Sequence, residues 1–108
     1  RVEKFGENII NLVKKVRVNS ITKSIVEQLV RSGTSIGANY FEANGASSKK
    51  DFINKVYISK KEAKETQHWL RMISKADGSI ISEARILYKE TQELAMIFST
   101  IITNTKNK

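Results

Sequence analysis

The sequence predicts an all-α fold, an up-down-up-down antiparallel four-helix bundle. Apolar residues recur at alternating steps of three and four along four segments, and that period places them on one face of a helix. The chain contains no proline, the residue that most strongly interrupts a helix. Short connections between the segments make sequence neighbours antiparallel. A chain of 108 residues suits a single domain, here spanning 1–108.

The first helix is predicted over 2–17 and the second over 20–44. The apolar face of the first helix consists of Val2, Phe5, Ile9, Leu12 and Val16. The second helix contains Gly33 and Gly37, four positions apart. A glycine inside a helix costs about 1 kcal/mol relative to alanine. We therefore expect a neighbouring helix to pack closely against these two glycines.

The third helix is predicted over 48–75. Asn44 and Gly45 end the second helix, and Gly45 suits the left-handed conformation that commonly terminates helices. Ser48 and Asp51 have the spacing of a capping box, which satisfies backbone amides at the start of a helix. The face of this helix consists of Phe52, Val56, Ser59, Ala63, Thr66, Leu70 and Ile73.

The fourth helix is predicted over 80–104. A turn at Asp77–Ser79 precedes it, and Ser79 is a suitable N-cap because its hydroxyl can accept a bond from a free backbone amide. The face of this helix consists of Ala84, Leu87, Thr91, Leu94, Phe98 and Ile101. The sustained period of about 3.5 residues indicates helices that pack nearly antiparallel along their whole length.

Three runs of sequence carry a family resemblance. Residues 28–39 read Gln-Leu-Val-Arg-Ser-Gly-Thr-Ser-Ile-Gly-Ala-Asn, residues 48–53 read Ser-Lys-Lys-Asp-Phe-Ile, and residues 61–71 read Lys-Glu-Ala-Lys-Glu-Thr-Gln-His-Trp-Leu-Arg. Together they resemble the four-helix-bundle proteins encoded in intervening sequences of bacterial 23S ribosomal RNA genes. The similarity covers nearly the whole chain, although Tyr40 and Phe41 stand where that family often has isoleucine and alanine.

This resemblance implies a ring-like homopentamer and no enzymatic activity. It also implies kinship with the accessory proteins of diversity-generating retroelements. Those proteins are basic pentameric bundles that bind nucleic acid and a reverse transcriptase.

Composition excludes several classes of site. The chain has no cysteine and one histidine, His68, so thiol catalysis and multi-histidine metal centres are excluded. No apolar run approaches the roughly 18–20 residues of a membrane span. We expect no cofactor, no metal and no small-molecule substrate, and the cytoplasm as the compartment. His68 is interpreted as a surface or subunit-contact residue.

The net charge points to a polyanionic partner. Nineteen lysines and arginines against 11 acids give +8, which favours RNA or DNA. The cations occur in clusters, and the candidates for nucleic-acid contact are Lys14, Lys15, Arg17, Lys49, Lys50, Lys55, Lys60, Lys61 and Lys64. The first three are expected to close helix 1, where cations stabilise the helix dipole. Two interpretations stay open: a phosphate-contacting surface, or a charged surface with no role beyond solvation.

Arg31 is predicted to form a structural ion pair. In an antiparallel hairpin centred near Ala46, Arg31 lies opposite Glu62, with Glu65 one turn away. Its small neighbours predict a buried guanidinium, which requires a carboxylate partner. The two glutamates could also form an acid–base pair. We favour the ion pair.

A second apolar face predicts oligomerisation. A bundle helix needs one core-facing stripe, and large apolar residues outside that stripe mark interfaces. On helix 3 the residues that do not fit the stripe are Tyr57, Ile58, Trp69 and Met72. On helix 4, Ile80, Ile81 and Ile102 do not all fit the stripe either.

Two functions follow from these observations. The first is a non-enzymatic, oligomeric protein that binds nucleic acid through its basic surface, without strong sequence specificity. The alternative is a structural scaffold that recruits a protein partner and has no direct role with nucleic acid. The salt dependence of binding to generic RNA or DNA distinguishes them.

Overall fold

Four α-helices form the protein, as described by a computed structural model that covers all 108 residues. The helices, numbered α1 to α4, are Val2–Val13, Ser20–Asn44, Lys49–Ala76 and Ile81–Lys106, with a 3₁₀ turn at Gly78–Ile80. Consecutive helices pack against each other, and α1 also contacts α4, which gives an elongated bundle of 47 × 20 × 19 Å. None of the helices combines the length and hydropathy needed to cross a membrane.

The order of contacts shows how α2 and α3 are oriented. The Ser59 hydroxyl donates to the Ile36 carbonyl at 2.9 Å, and Thr66 Oγ1 lies 3.0 Å from Ser32 Oγ. Higher residue numbers on α2 therefore meet lower numbers on α3, as they do when two helices run in opposite directions. One apolar core of 18 buried residues includes side chains from all four helices.

The predicted second helix is confirmed at both ends, and the prediction for the first helix was wrong at its end. Helix α1 stops at Val13 and not at residue 17. The amides of Lys15 and Val16 bond to carbonyls only three residues back, and Val16 turns inward to 6% exposure. The Arg17 amide then donates to Asp77 Oδ2 at 3.1 Å. This hydrogen bond holds the chain at Arg17 outside the helix. Lys14, Lys15 and Arg17 therefore follow α1 and do not form its last turn.

Two predicted caps differ from the structure. Gly45 follows α2 with φ −102°, so it is not in the left-handed region. The cap of the last segment is Asp77 and not Ser79: the Ser79 amide and hydroxyl both donate to Asp77 Oδ1. Hydrogen bonds from Ser79 and the Arg17 amide lower the pKa of Asp77 below its ordinary value. At α3 the amide of Asp51 donates to Ser48 Oγ, which is the serine half of the predicted capping box.

Two of the isoleucines considered for a second face of helix 4 are buried instead. Ile80 is 2% exposed and Ile102 is 8% exposed, so both belong to the core and not to a second face. The turn offsets Ile80 from the period of α4 and directs it inward. Ile81, at the start of α4, is partly buried.

The two glycines of α2 face α1, as the sequence predicts. A Cβ placed on Gly33 would lie 2.9 Å from Ile9 Cγ1 and 3.1 Å from Ile9 Cγ2. A Cβ on Gly37 would lie 3.4 Å from the Val2 carbonyl oxygen, an ordinary contact. Gly33 therefore allows α1 to approach α2 closely. At Gly37 a side chain would meet α1 only at ordinary contact distance.

Candidate nucleic-acid interface

A groove between α3 and α4 collects most of the unpaired positive charge. Its first section, where the two helices join, is lined by Leu70, Arg71, Ser74, Lys75, Ile81, Ala84, Arg85 and Tyr88. Its middle section is lined by Lys60, Lys64, Gln67, Gln92, Ala95, Met96, Ser99 and Thr100. Its far section is lined by Lys49, Lys50, Ile53, Asn54 and Lys106. We call these three sections together the α3–α4 groove.

The α3–α4 groove contains eight cationic side chains and no carboxylate. The cations are Lys49, Lys50, Lys60, Lys64, Arg71, Lys75, Arg85 and Lys106. At 1.5 Å of rise per residue, the distance from Lys49 to Lys75 along α3 is about 40 Å. The groove therefore presents positive charge along most of the molecule.

Every ion pair of the protein lies on another side of the bundle. Helix α4 directs its three glutamates at the α1 region, where Arg1 approaches Glu93 to 2.7 Å and Lys15 approaches Glu83 to 3.8 Å. The remaining pairs join α2 to α3 and involve Arg31 and Lys55. None of these ion pairs involves a cation of the α3–α4 groove.

The structure separates the nine candidate cations of the sequence. Four line the α3–α4 groove: Lys49, Lys50, Lys60 and Lys64. Lys15 and Lys55 each lie 3.8 Å from a carboxylate, Glu83 and Glu42 respectively. Lys14 and Arg17 are exposed in the link after α1, at the end of the bundle that also holds Asp77. Lys61 is exposed on the outer side of α3.

Four groove cations were missed in the sequence: Arg71, Lys75, Arg85 and Lys106. Arg71, Lys75 and Arg85 lie outside the runs of neighbouring basic residues that form the predicted clusters, and Lys106 lies near the end of the chain. The missing signal was the register of α3 against α4. The Arg71 guanidinium lies 5.3 Å from the centre of the Tyr88 ring, and Lys49 Nζ donates to the Lys108 carbonyl, so paired residue numbers sum to about 158. That register brings these cations to one groove.

Arg31 contacts both predicted glutamates, although it is not buried. Its Nη1 lies 3.0 Å from Glu62 Oε2, its Nη2 contacts Glu65, and its Nε donates to Gln28. The Arg31 side chain is 46% exposed, so the expectation of a buried guanidinium was wrong. Its position on the outer edge of the α2–α3 interface, beyond the small residues, explains the difference. Desolvation lowers the pKa of Arg31, but the hydrogen bonds and charges of Glu65 and Glu62 outweigh it and raise the pKa above its ordinary value.

The four interface candidates do not form one surface. Tyr57 is 58% exposed, and Ile58 and Met72 are each 38% exposed. Trp69 is partly buried against the core, and its indole Nε1 is buried without a hydrogen-bond partner. Successive helical residues are about 100° apart, which places Tyr57 around the helix from Ile58. Ile58, Trp69 and Met72 share the side of α3 that carries Glu62 and Glu65.

The remaining candidates for chemistry show no reactive geometry. His68 is exposed and packs edge-on against Trp69, with ring centres 4.7 Å apart. Glu62 and Glu65 are occupied by Arg31. No group of three histidine, aspartate or glutamate side chains is arranged to hold a metal ion.

Comparisons with known proteins identify a family and a solved structure that share this four-helix architecture. The family model of the 23S rRNA-intervening sequence protein matches residues 1–100. The chain belongs to this family. A solved structure described as a protein of unknown function from the S23 ribosomal protein family of Bacteroides thetaiotaomicron is 33% identical, covers 94% of each chain and superposes with a TM-score of 0.81. No curated protein matches the chain. The family description names no enzymatic activity.

Proposed function

We propose that this member of the 23S rRNA-intervening sequence protein family is a non-enzymatic, homo-oligomeric protein of the cytoplasm that binds nucleic acid. The α3–α4 groove holds the phosphate backbone with little dependence on sequence. The observation that carries the proposal is the alignment of eight cations along one groove without a carboxylate. Phosphate contacts of this kind dominate affinity and carry no sequence information by themselves.

The composition of the groove supports phosphate binding over other roles for the charge. Six of its eight cations are lysines, which act as compact point charges toward phosphate. Charges that only solvate a surface are mixed in sign along it, as on the α1–α4 side, where Lys15 faces Glu83. A long strip of a single sign instead attracts a polyanion from solution.

The test compares two triple variants that lose the same charge. Lys49→Gln/Lys60→Gln/Lys64→Gln removes three groove cations, and Lys14→Gln/Lys15→Gln/Lys55→Gln removes three cations outside the groove. Binding to a labelled single strand of about 16 nucleotides is measured by fluorescence anisotropy over a salt series. The slope of log K against log salt falls by about 0.7 for each lost phosphate contact on a single strand.

We expect the groove variant to lose about two units of slope, and the control to keep the slope of the wild type. Equal losses in both variants would assign binding to net charge and not to the groove. A wild-type protein that does not bind at low salt would contradict the proposal. That result would favour the scaffold alternative, which is supported by the exposed apolar side chains of Ile58 and Met72 on the opposite side of α3.

Assembly is the second part of the proposal. A homopentamer, as the family resemblance implies, would combine five chains of net charge +8 into an assembly with a net charge of about +40. Ile58, Trp69 and Met72 are the candidate contacts. We expect sedimentation equilibrium to give a pentamer, and Met72→Glu to weaken it. Met96→Glu is the control, because Met96 is 71% exposed on another helix. A stable monomer at micromolar concentration would contradict this part.

A further inference from the structure

The first section of the α3–α4 groove differs from the other two because it has an apolar floor. Leu70 and Ala84 form the base at 1% and 2% exposure, and Ile81 and Tyr88 form partly buried walls. The exposed cations Arg71, Lys75 and Arg85 surround this floor. Its cavity volume of about 430 Å³ lies within the 300–1,000 Å³ typical of small-molecule sites.

We propose that this section, which we call the base pocket, holds one unpaired nucleobase of the strand whose phosphates follow the α3–α4 groove. The preferred ligand is therefore single-stranded nucleic acid and not a duplex. This inference rests on the proposed function, because the strand must first lie in the groove. The base pocket then adds a contact that paired bases, which stay stacked inside a duplex, cannot make.

The chemistry of the base pocket matches a nucleotide in two respects. A nucleobase is planar and apolar on its faces, and aromatic rings such as that of Tyr88 are the usual platforms on which bases stack. The phosphates on either side of the base are anionic, and Arg71, Lys75 and Arg85 stand at the mouth of the pocket. The base pocket thus offers an apolar surface at the centre and positive charge around it.

A base can take the place of the Arg71 guanidinium on the ring of Tyr88. The guanidinium lies over the tyrosine ring at 5.3 Å, and Arg71 is exposed. A cation–π contact at an exposed site is weak, so an incoming base can displace the guanidinium from the ring at little cost. The displaced guanidinium stays close enough to bind the adjacent phosphate or to stack on the base itself.

The rest of the groove argues against an acidic amphipathic helix as the ligand. Such a helix needs an apolar stripe along its whole length of contact. The middle section of the groove has only two apolar lining residues, Ala95 and Met96, beside its lysines and the polar side chains of Gln67, Gln92, Ser99 and Thr100. Apolar residues are half of the lining of the base pocket and a minority in the other two sections, so the apolar stripe is interrupted. A flexible strand can insert a single base at the base pocket while its backbone follows the lysines.

The test compares three ligands of equal length: an oligothymidine strand, a strand of abasic residues with the same phosphates, and a duplex. We expect the wild-type protein to bind oligothymidine at least about fivefold more tightly than the abasic strand, the gain from about 1 kcal/mol per stacked base. Tyr88→Leu leaves the floor unchanged and keeps this wall of the pocket apolar but removes the ring, and we expect it to abolish this ratio. A double variant of the middle section, Lys60→Gln/Lys64→Gln, should keep the ratio while it weakens binding to both strands.

A second measurement needs no variant that could fail to fold. A strand containing 5-bromouracil is crosslinked by ultraviolet light to the wild-type protein, and the site is mapped by mass spectrometry. We expect crosslinks at Tyr88 or at 70–75. Four results would each contradict the binding of a nucleobase in the base pocket. They are equal binding of oligothymidine and abasic strands, crosslinks confined to the middle or far section, tighter binding of the duplex, and equal competition by polyglutamate. Failure of every nucleic acid to bind at low salt would instead remove the proposed function.

Discussion

The two sides of helix α3 differ in whether their charged side chains form ion pairs. On the side that faces α2, Glu62 and Glu65 contact Arg31, and Asp51 lies three turns before Glu62 on the same side. On the side that faces α4, no acid occurs among the residues that line the groove. The positive charge of the chain is therefore paired where it borders α2 and unpaired where it borders α4.

This difference separates the structural side of the molecule from the candidate binding side. The α2 side contains small residues, buried hydroxyls and paired charges, all of which act on helix packing. The groove cations contact no acid, so they contribute little to folding. A substitution on the α2 side should change stability, and one in the α3–α4 groove should change binding.

The largest loss of stability is expected for Gly33→Ala, where α2 meets α1. The new methyl group would lie 2.9 Å from Cγ1 of Ile9, a side chain that is fully buried and cannot move aside cheaply. Overpacking of a core typically costs about 1–3 kcal/mol, of which the higher helix propensity of alanine offsets up to about 1 kcal/mol. Urea denaturation followed by circular dichroism, at one protein concentration, measures the change in free energy of unfolding.

Gly37→Ala is the matched control for that substitution. Its methyl group makes only ordinary contacts with Val2, and alanine has the higher helix propensity. We expect this variant to be as stable as the wild type or more stable by up to about 1 kcal/mol. Equal destabilisation by the two substitutions would show that Gly33 is not the point of close approach.

The presence of each helix could be predicted from the sequence, because the spacing of its apolar residues can be read within the segment itself. The predicted span of α2 is confirmed, and those of α3 and α4 agree to within one or two residues. The end of α1 was missed because it depends on a distant partner: the Arg17 amide bonds to Asp77, sixty positions away. The cap at Asp77, which the sequence assigned to Ser79, is instead a local contact, because the Ser79 amide donates to the Asp77 side chain two residues back.

The candidate site was harder to predict than the fold because it is built across two helices. The predicted pairing of α2 with α3 places Arg31 opposite Glu62, and the structure brings these two side chains into contact. The predicted turn at Asp77–Ser79 implies a similar pairing of α3 with α4, but this pairing was not used in the prediction, so Arg85 and Lys106 were not connected to Lys64. Burial was also misjudged at Arg31, since exposure depends on where the edge of an interface lies.

The second prediction concerns the buried hydroxyls between α2 and α3. Thr66 Oγ1 lies 3.0 Å from Ser32 Oγ and 2.8 Å from the Glu62 carbonyl, and both residues are fully buried. Thr66→Val keeps the shape of the side chain and leaves the Ser32 hydroxyl with one long contact, to the Leu29 carbonyl at 3.4 Å. We expect a loss of about 1–1.5 kcal/mol in the free energy of unfolding.

Thr34→Val provides the reference for this loss. Thr34 is exposed and bonds only within its own helix, at 2.7 Å to the Val30 carbonyl. The reference variant should change stability by less than about 0.5 kcal/mol. If Thr66→Val is no more harmful than Thr34→Val, the hydroxyls do not hold α2 and α3 together.

The third prediction tests the Arg31 pair at its observed exposure. A buried pair that loses one partner typically costs about 3–5 kcal/mol, which the sequence led us to expect. Because the Arg31 side chain is 46% exposed, we now expect Arg31→Met to cost about 0.5–1 kcal/mol. A double-mutant cycle with Glu62→Gln isolates the pair. A coupling energy near 3 kcal/mol would show that the pair is buried in solution, for instance by a second subunit.

The smallest effect is expected in the α3–α4 groove, for Lys64→Gln. Lys60 and Lys64 are four positions apart on α3, and like charges at this spacing destabilise a helix by about 0.2–0.5 kcal/mol. Neither lysine has a carboxylate partner to lose, since the groove contains none. We therefore expect Lys64→Gln to raise the free energy of unfolding by a few tenths of a kcal/mol at low salt. The gain should disappear near 1 M salt, where charges are screened within about 3 Å.

Lys15→Gln is the control for the sign of that change. Lys15 lies 3.8 Å from Glu83, so its removal should lower stability slightly at low salt. Opposite signs for the two variants would mean that the groove lysines oppose folding while the paired lysine assists it. A protein retains unfavourable charge when the charge serves a ligand, and that is the role we assign to the groove. If Lys64→Gln is destabilising at low salt, Lys64 has a partner in solution and the two sides of α3 do not differ as described.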